Sequence, residues 1–272
     1  MNATAFASAV ASGLTQDSAT QDVWQSKKQR QRAQQHWQKV RNAEKGYAIQ
    51  LRKIARHVGE IIKHFKIGDP AGVPEVTNIL HRYASVITPW ARATAARMIA
   101  EVDRRDMTAW QRHAREMSRA LHKEVAQAPI GEVVRQLQND QVDLITSIPL
   151  DAAQRVQELT QQYVLGGRRY DQLAEMIANT TGVTMSRATL IARTETAKAA
   201  ASLVQARAQY VGSTHYIWHS VQDIYVRKMH RHLNGTTQEW ANPPIAEENG
   251  DRHHPGNFPN CRCYAEPIIG DI

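Results

Sequence analysis

The stretch SRATLIARTETAKAAASLVQARAQYVGSTHYIWH, residues 186–219, contains the point at which the chain changes from helix to strand. The segment from Ser186 to Tyr210 is predicted to be a long helix that ends at Gly212. His215–His219 is dense in aromatic and β-branched residues, which predicts a strand, with weaker strand signals at 236–240 and 263–265. The fold class predicted is mainly α, with an elongated multi-helix body and a small loop-rich α+β C-terminal unit.

Glycines and prolines divide the rest of the chain. Pro89 interrupts or restarts one helix, and Pro149 is expected to separate a helix over 132–146 from one over 151–165. The clearest linker is the Gly- and Pro-rich run at 68–74. Four parts are therefore predicted: a flexible N-terminal segment 1–26, a basic helix with its linker 27–72, a helical body 73–212, and the α+β unit 213–272.

Positive charge is concentrated in one segment. The chain has a net charge of +8, yet residues 27–66 carry twelve Lys and Arg against Glu44 and Glu60. The other 232 residues carry 22 basic and 24 acidic groups. Such a concentration attracts polyanions, because each cation that meets a phosphate releases a condensed counterion. The alternative is a solvated helix face whose charges keep the chain soluble. The predicted DNA contacts are Lys27, Lys28, Arg30, Arg32, Lys39, Arg41, Lys45, Arg52, Lys53 and Arg56.

The same segment has a narrow apolar seam with the spacing of a heptad repeat. Its members follow alternating steps of three and four, broken only at Glu44: Trp37, Val40, Tyr47, Leu51, Ile54, Val58, Ile61 and Phe65. This spacing predicts one helix of about four heptads. The seam either docks on a partner or packs on the core of its own protein, and the sequence leaves both alternatives open.

Composition excludes several classes of protein. No stretch reaches the ~18 uncharged apolar residues that a membrane span needs. The apolar start has no basic residue before Lys27, so no secretory signal is expected. Two cysteines are too few for a disulfide-stapled scaffold. The chain is expected to work inside a cell, or inside something assembled in one.

A group of histidines and both cysteines raises the question of a metal site. Cys261 and Cys263 with two of the four nearby imidazoles would make a zinc ligand set, the imidazoles being those of His230, His232, His253 and His254. Cys-x-Cys is, however, a less familiar chelate than Cys-x-x-Cys. The favoured interpretation is that the thiols are buried small groups and that no cofactor is bound, with structural zinc as the alternative.

Enzyme templates are missing from the sequence. It contains no G-x-x-x-x-G-K-[ST], G-x-G-x-x-G, G-x-S-x-G or H-E-x-x-H. Asp223, Arg227, His230 and His232 suit a metal nuclease centre in residue type, but nothing in their spacing demands one. No catalytic residue is therefore predicted.

Short motifs in a fixed order resemble a known family. They are Leu144–Pro149 (LITSIP), Ile191–Thr196 (IARTET), Trp218 followed by Asp223, Arg227 and His230, then Leu233, Gly235, Pro255-Gly256 and Pro259–Cys263 (PNCRC) up to Pro267. Their order and spacing resemble the Mu F-like minor head proteins of tailed bacteriophages, over roughly residues 140–267. The basic helix lies outside this region.

The resemblance implies a non-enzymatic head morphogenesis protein that associates with the portal vertex and assists head assembly, DNA packaging or DNA ejection. Implied partners are the portal protein, major capsid or scaffold proteins and packaged double-stranded DNA, with no membrane. The implied location is the virion interior near the portal, and the host cytoplasm during assembly. Family positions fall on Trp218, Asp223, Arg227, His230, Gly235, Asn260, Cys261 and Cys263.

These positions are interpreted as defining the fold. Gly235 is expected in a turn, and Asp223 with Arg227 is expected to form an ion pair. His230 and the cysteines are expected to tie the C-terminal loops together, with or without metal. Two other classes of function stay open: a head-borne metal-dependent nuclease or toxin-like enzyme, and a general DNA-binding protein without a role in the virion.

Overall fold

Helices make up most of the protein. The computed structural model describes residues 40–64, 70–117, 126–166, 170–221 and 223–269. Helix α1 covers residues 40–63, and a 3-10 turn at Pro70–Gly72 follows. The remaining long helices are α2 (Val73–Val86), α3 (Thr88–Met117), α4 (Gly131–Gly166), α5 (Tyr170–Ala178) and α6 (Thr180–Tyr210). The predicted mainly α class is confirmed, whereas the segment 1–26 and part of the linker lie outside the described residues.

A small antiparallel sheet follows α6. It contains β1 (His215–His219), β2 (Thr237–Glu239) and β3 (Tyr264–Ile268), in the order β2-β1-β3, with the short helix α7 (Lys228–Leu233) between β1 and β2. The predicted strand at 215–219 is confirmed, and both weaker strand signals belong to this sheet. Among the described helices, none is both long and apolar enough to cross a membrane.

Two prolines that the sequence treats alike behave differently. Pro89 lies at the start of α3, directly after α2 ends, so the predicted restart is confirmed. Pro149 lies inside α4, which runs unbroken, so the predicted break is wrong. A proline inside a helix costs about 3 kcal/mol. Ile145 and Ile148 are both fully buried beside it, and each such burial contributes about 1.5–3 kcal/mol, which offsets that cost.

The apolar seam of α1 packs on the core of its own chain, the second of the two alternatives. Its buried members Val40, Tyr47, Leu51, Ile54 and Val58 belong to the main hydrophobic core with residues of α2 to α6. The approach to α6 is close, because a Cβ placed on Gly59 would lie 2.6 Å from Thr181 Cγ2. Trp37 and Phe65, the ends of the predicted seam, lie outside the described residues.

Helix α6 is the central element of the molecule. Alanines and other small residues along its length are buried, including Ala188, Ala192, Ala199 and Ala200. Such burial on several faces is typical of a helix surrounded by its own protein. A buried polar chain adds to the packing: Tyr47 Oη donates to Gln141 Oε1 (2.8 Å), and Gln141 Nε2 donates to Glu195 Oε2 (2.8 Å). This chain links α1, α4 and α6.

A second hydrophobic core lies at the C-terminal end of α6. It contains Trp110 of α3, Val204 and Ala208 of α6, and the aromatic residues of the sheet. Arg207, with no solvent exposure, forms ion pairs with Asp103 and Asp106 of α3 at this end of α6. Burial raises the pKa of Asp106 to about 6, although the Arg207 guanidinium opposes the shift.

We expect Arg207→Met to lower the free energy of unfolding by about 3–5 kcal/mol, because it leaves Asp106 buried without its counter-charge. Urea denaturation measures the loss. The control is Arg104→Met, which removes an exposed pair with Glu101 and should cost at most about 1 kcal/mol. Equal losses in the two variants would show that the buried pair does not stabilise the fold.

Candidate functional site

The second core surrounds strand β1. Tyr216 and Trp218 of this strand are fully buried, and the Trp218 ring meets the His230 ring edge-on at 5.3 Å. Gly235, at φ +81°, forms the predicted turn after α7. Its N–H donates to the carbonyl oxygen of Trp218 (2.7 Å), so the chain returns along β1. The inward face of α7 is thereby held against the sheet, with His230 buried there.

A tight turn brings the two cysteines to the same place. Cys261 N donates to the Phe258 carbonyl (2.9 Å), and Asn260 has a left-handed φ of 58°. Pro at the second position and a left-handed residue at the third are the pattern of a type II turn. Helix α6 holds this turn, because Asn260 N donates to Thr194 Oγ1 (3.3 Å) and Asn260 Oδ1 accepts from Arg193 Nη1 (3.5 Å).

Both thiols face one imidazole nitrogen. His230 Nδ1 lies 3.6 Å from Cys261 Sγ and 3.5 Å from Cys263 Sγ. All three side chains are buried, and their ligand atoms lie within 4.8 Å of one another. Cys261 Sγ also accepts hydrogen bonds from the backbone N–H groups of Gly256 (3.4 Å) and Cys263 (3.5 Å). His230, Cys261 and Cys263 are called the thiol–imidazole cluster below.

A hydrogen bond between the two thiols shifts their pKa values in opposite directions. The hydrogen bond from Cys263 lowers the pKa of Cys261 well below its usual range, against the effect of burial. The same bond, together with burial, raises the pKa of Cys263. Of the two thiols, Cys261 is therefore the more acidic.

Glu247 occupies the other side of the His230 ring. Its Oε1 lies 3.2 Å from His230 Nε2, 3.5 Å from His253 Nε2 and 3.5 Å from Arg227 Nε. A second group of possible metal ligands, made of His230, Glu247 and His253, results from these contacts. Glu247 carries no local sequence pattern that would predict this position, because it lies in a loop 17 residues after His230.

The predicted ion pair between Asp223 and Arg227 is wrong. Asp223 pairs with Arg262, whose Nη2 lies 2.6 Å from Asp223 Oδ1, and this hydrogen bond lowers the pKa of Asp223. Arg227 instead contacts Glu247, donates to the Pro259 carbonyl (2.9 Å) and lies over the Phe258 ring at 4.7 Å. Residues 223–227 form bends and turns, so the spacing of four does not place these two side chains on one helix face.

The remaining predicted site residues are distributed as follows. His232 is exposed and is in neither group of ligand atoms, and His254 Nδ1 lies 3.0 Å from Tyr216 Oη. The four residues of the hypothetical nuclease centre therefore do not converge on one point. Arg41, Lys45, Arg52, Lys53 and Arg56 are exposed on α1, while Lys27, Lys28, Arg30, Arg32 and Lys39 lie outside the described residues.

Comparisons with known proteins confirm the predicted resemblance. The family described as "Phage Mu protein F like protein" matches residues 154–266, which include α6, the sheet and the thiol–imidazole cluster. A protein of Haemophilus influenzae (strain Rd), described as an uncharacterized protein, is 36% identical over 140 residues. These residues are 52% of this chain and 30% of that protein, so the chain spans about 30% of that relative's length. No solved structure matches the chain.

Gly256 provides a test of how the cysteine loop is held on α6. It has a φ of +90°, and an added Cβ would lie 3.0 Å from Ala201 Cβ. Gly250 has nearly the same φ, +91°, with nothing near an added Cβ. We expect Gly250→Ala to cost about 1–2 kcal/mol from backbone strain. Gly256→Ala should cost about 1–3 kcal/mol more, because it also overpacks the contact with α6.

Thermal or urea denaturation of the two variants measures this difference. Equal losses would mean that the loop does not press on α6 as the structure describes.

Proposed function

We propose, from the premise that residues 154–266 are a Phage Mu protein F-like segment, that this chain is a minor head protein of a tailed bacteriophage. In this proposal it joins the head at the portal vertex, contacts packaged double-stranded DNA without sequence preference, and assists head assembly, packaging or ejection. It acts as a structural component without catalysis. The family match carries the general class, and the surface of α1 supports the contact with DNA.

The two faces of α1 have different surroundings. The apolar face is buried in the main core, so it is already covered by the chain's own residues. The opposite face presents Arg41, Lys45, Arg52 and Arg56 at steps of four, seven and four, which places them in one row about 22 Å long. Lys53 adjoins the row. A polyanion can therefore approach the helix without any rearrangement of the core.

Among the described residues, the two acidic groups of α1 are both engaged away from these cations. Glu44, on the covered side of α1, is directed toward Arg193 of α6 (3.5 Å), and Glu60 pairs with Lys63 (3.2 Å). Arg52 donates to Thr189 Oγ1 (3.2 Å), a neutral partner that orients the guanidinium without cancelling its charge. The row therefore keeps most of its positive charge toward solvent, which favours a phosphate backbone as its partner.

Charge substitution tests DNA binding better than truncation, because removing α1 would uncover the main core. In the α1 variant, Arg41, Lys45, Arg52, Lys53 and Arg56 are all replaced by Gln. If these five side chains meet phosphates, the slope of log K against log[salt] for duplex DNA should become shallower by about 4.5. Titrations of labelled duplex at several salt concentrations measure the slope.

The matched control removes an equal number of positive charges from other parts of the surface. It replaces the exposed residues Arg82, Arg92, Arg135, Lys228 and Arg231 by Gln. This control should leave the slope within about 1 of the wild-type value. Equal flattening in the two variants would mean that overall charge, and not the row on α1, determines the affinity. An unchanged slope in the α1 variant would contradict the proposed DNA contact.

Portal association and the lack of catalysis are tested together. The purified chain should co-sediment with portal rings from the same phage, and plasmid DNA should stay intact when the chain is added with Mg²⁺, Mn²⁺ or Zn²⁺. Duplex binding without portal binding would favour a general DNA-binding protein. Metal-dependent cleavage that His230→Ala abolishes would favour a head-borne nuclease and would overturn the structural proposal.

A further inference from the structure

We propose that the thiol–imidazole cluster binds one zinc ion, with Cys261 Sγ, Cys263 Sγ and His230 Nδ1 as its protein ligands. This site goes beyond the proposed function, because neither DNA binding nor portal association requires it. Its ligands come from two chain segments, α7 and the loop that leads into β3. Zinc there would cross-link these segments inside the second core. The sequence favoured thiols packed without metal, whereas the distances between the side chains support the alternative of structural zinc.

The distances within the cluster suit tetrahedral zinc. With Zn–S bonds of about 2.3 Å and a Zn–N bond of about 2.0–2.1 Å, a tetrahedral angle separates sulfur and nitrogen by roughly 3.5–3.6 Å. The two observed separations from His230 Nδ1 are 3.6 Å to Cys261 Sγ and 3.5 Å to Cys263 Sγ. Both sulfur atoms therefore already lie at the distance from His230 Nδ1 that a shared zinc ion would impose.

The surroundings of the sulfur atoms suit a metal thiolate. Cys261 Sγ accepts two backbone hydrogen bonds, from Gly256 and Cys263. Backbone N–H groups stabilise a negatively charged sulfur, such as a metal-bound thiolate, more than a neutral thiol, because a thiol is a weak acceptor. Two thiolates and one Zn²⁺ also sum to zero charge, so the burial of the loaded site leaves no net charge in the apolar core.

Glu247 supplies the outer support that a zinc-bound histidine normally has. A ligating imidazole usually donates its other ring N–H to a carboxylate, which fixes the tautomer. Glu247 Oε1 lies 3.2 Å from His230 Nε2 and is itself held by Arg227 Nε at 3.5 Å. With the proton on Nε2, the Nδ1 lone pair of His230 faces the sulfurs. Glu247 is thus a positioning residue for His230.

The first test measures metal in the full chain, expressed without a His tag and purified without chelator. We expect about one zinc per chain by mass spectrometry of the metal content. After replacement by Co²⁺, we expect a thiolate-to-cobalt charge-transfer band in the near ultraviolet. A chain that takes up neither Zn²⁺ nor Co²⁺ under reducing conditions would overturn the proposal.

Variants assign the metal to the cluster. The double variant Cys261→Ser/Cys263→Ser should lose the zinc, whereas His232→Ala, on the exposed side of α7, should retain it. Glu247→Gln should keep one zinc per chain with affinity lowered about 10–100-fold. Zinc that survives in the double variant, or that disappears in His232→Ala, would place the ion elsewhere and overturn the assignment.

A chelator experiment on the wild-type chain covers the case in which the cysteine variant does not fold. Chelator should unfold the unit after Gly212 selectively and expose two thiols to a thiol reagent, because the binding energy of zinc is part of the folding energy. Unchanged melting and unchanged thiol reactivity would overturn the proposal. The salt dependence of DNA binding through α1 can fail or succeed independently of either result.

Discussion

The buried guanidinium of Arg207 joins the two hydrophobic cores, and the placement of the whole C-terminal unit depends on it. Its partners Asp103 and Asp106 belong to α3, which carries main-core residues before them and Trp110 of the second core after them. An unpaired charge cannot stay at this depth without a cost of several kcal/mol. The pair therefore sets how α3 and α6 lie against each other. Strand β1 begins only five residues after α6 ends, so the position of α6 against α3 also determines where the sheet lies.

The motif Ile191–Thr196 works as a junction between the basic helix and the cysteine loop. Ile191 and Ala192 fill the main core, while Glu195 accepts from Gln141. Arg193 reaches both Glu44 of α1 and Asn260 of the turn, and Thr194 accepts from the same asparagine. One turn and a half of α6 thus contacts α1, α4 and the loop that carries both thiols. The physical role of this motif is to hold parts of the chain that are distant in sequence.

The sequence predicted features that depend on near neighbours and missed those that depend on distant ones. Heptad spacing identified the buried face of α1, but not the residues that cover this face. One of them is Gln141, which lies 94 positions after its partner Tyr47. The helix break expected at Pro149 does not occur, because core packing on both sides of the proline outweighs one lost hydrogen bond. The resemblance implied a pair of Asp223 with Arg227, although the partner of Asp223 is Arg262, 39 residues away. Glu247 could not be found at all, since its role exists only once two loops meet.

The long-range packing of α1 also governs the order in which the protein can assemble during translation. Glu44 and its partner Arg193 are 149 residues apart, and ribosomes add roughly 5–20 residues per second. Synthesis of the segment between them therefore takes about 7 to 30 seconds, and during that time the apolar face of α1 lacks the α6 residues that cover it. The apolar face of α1 is covered in full only when α2, α4 and α6 are also present, and its cationic face stays on the surface of the folded protein.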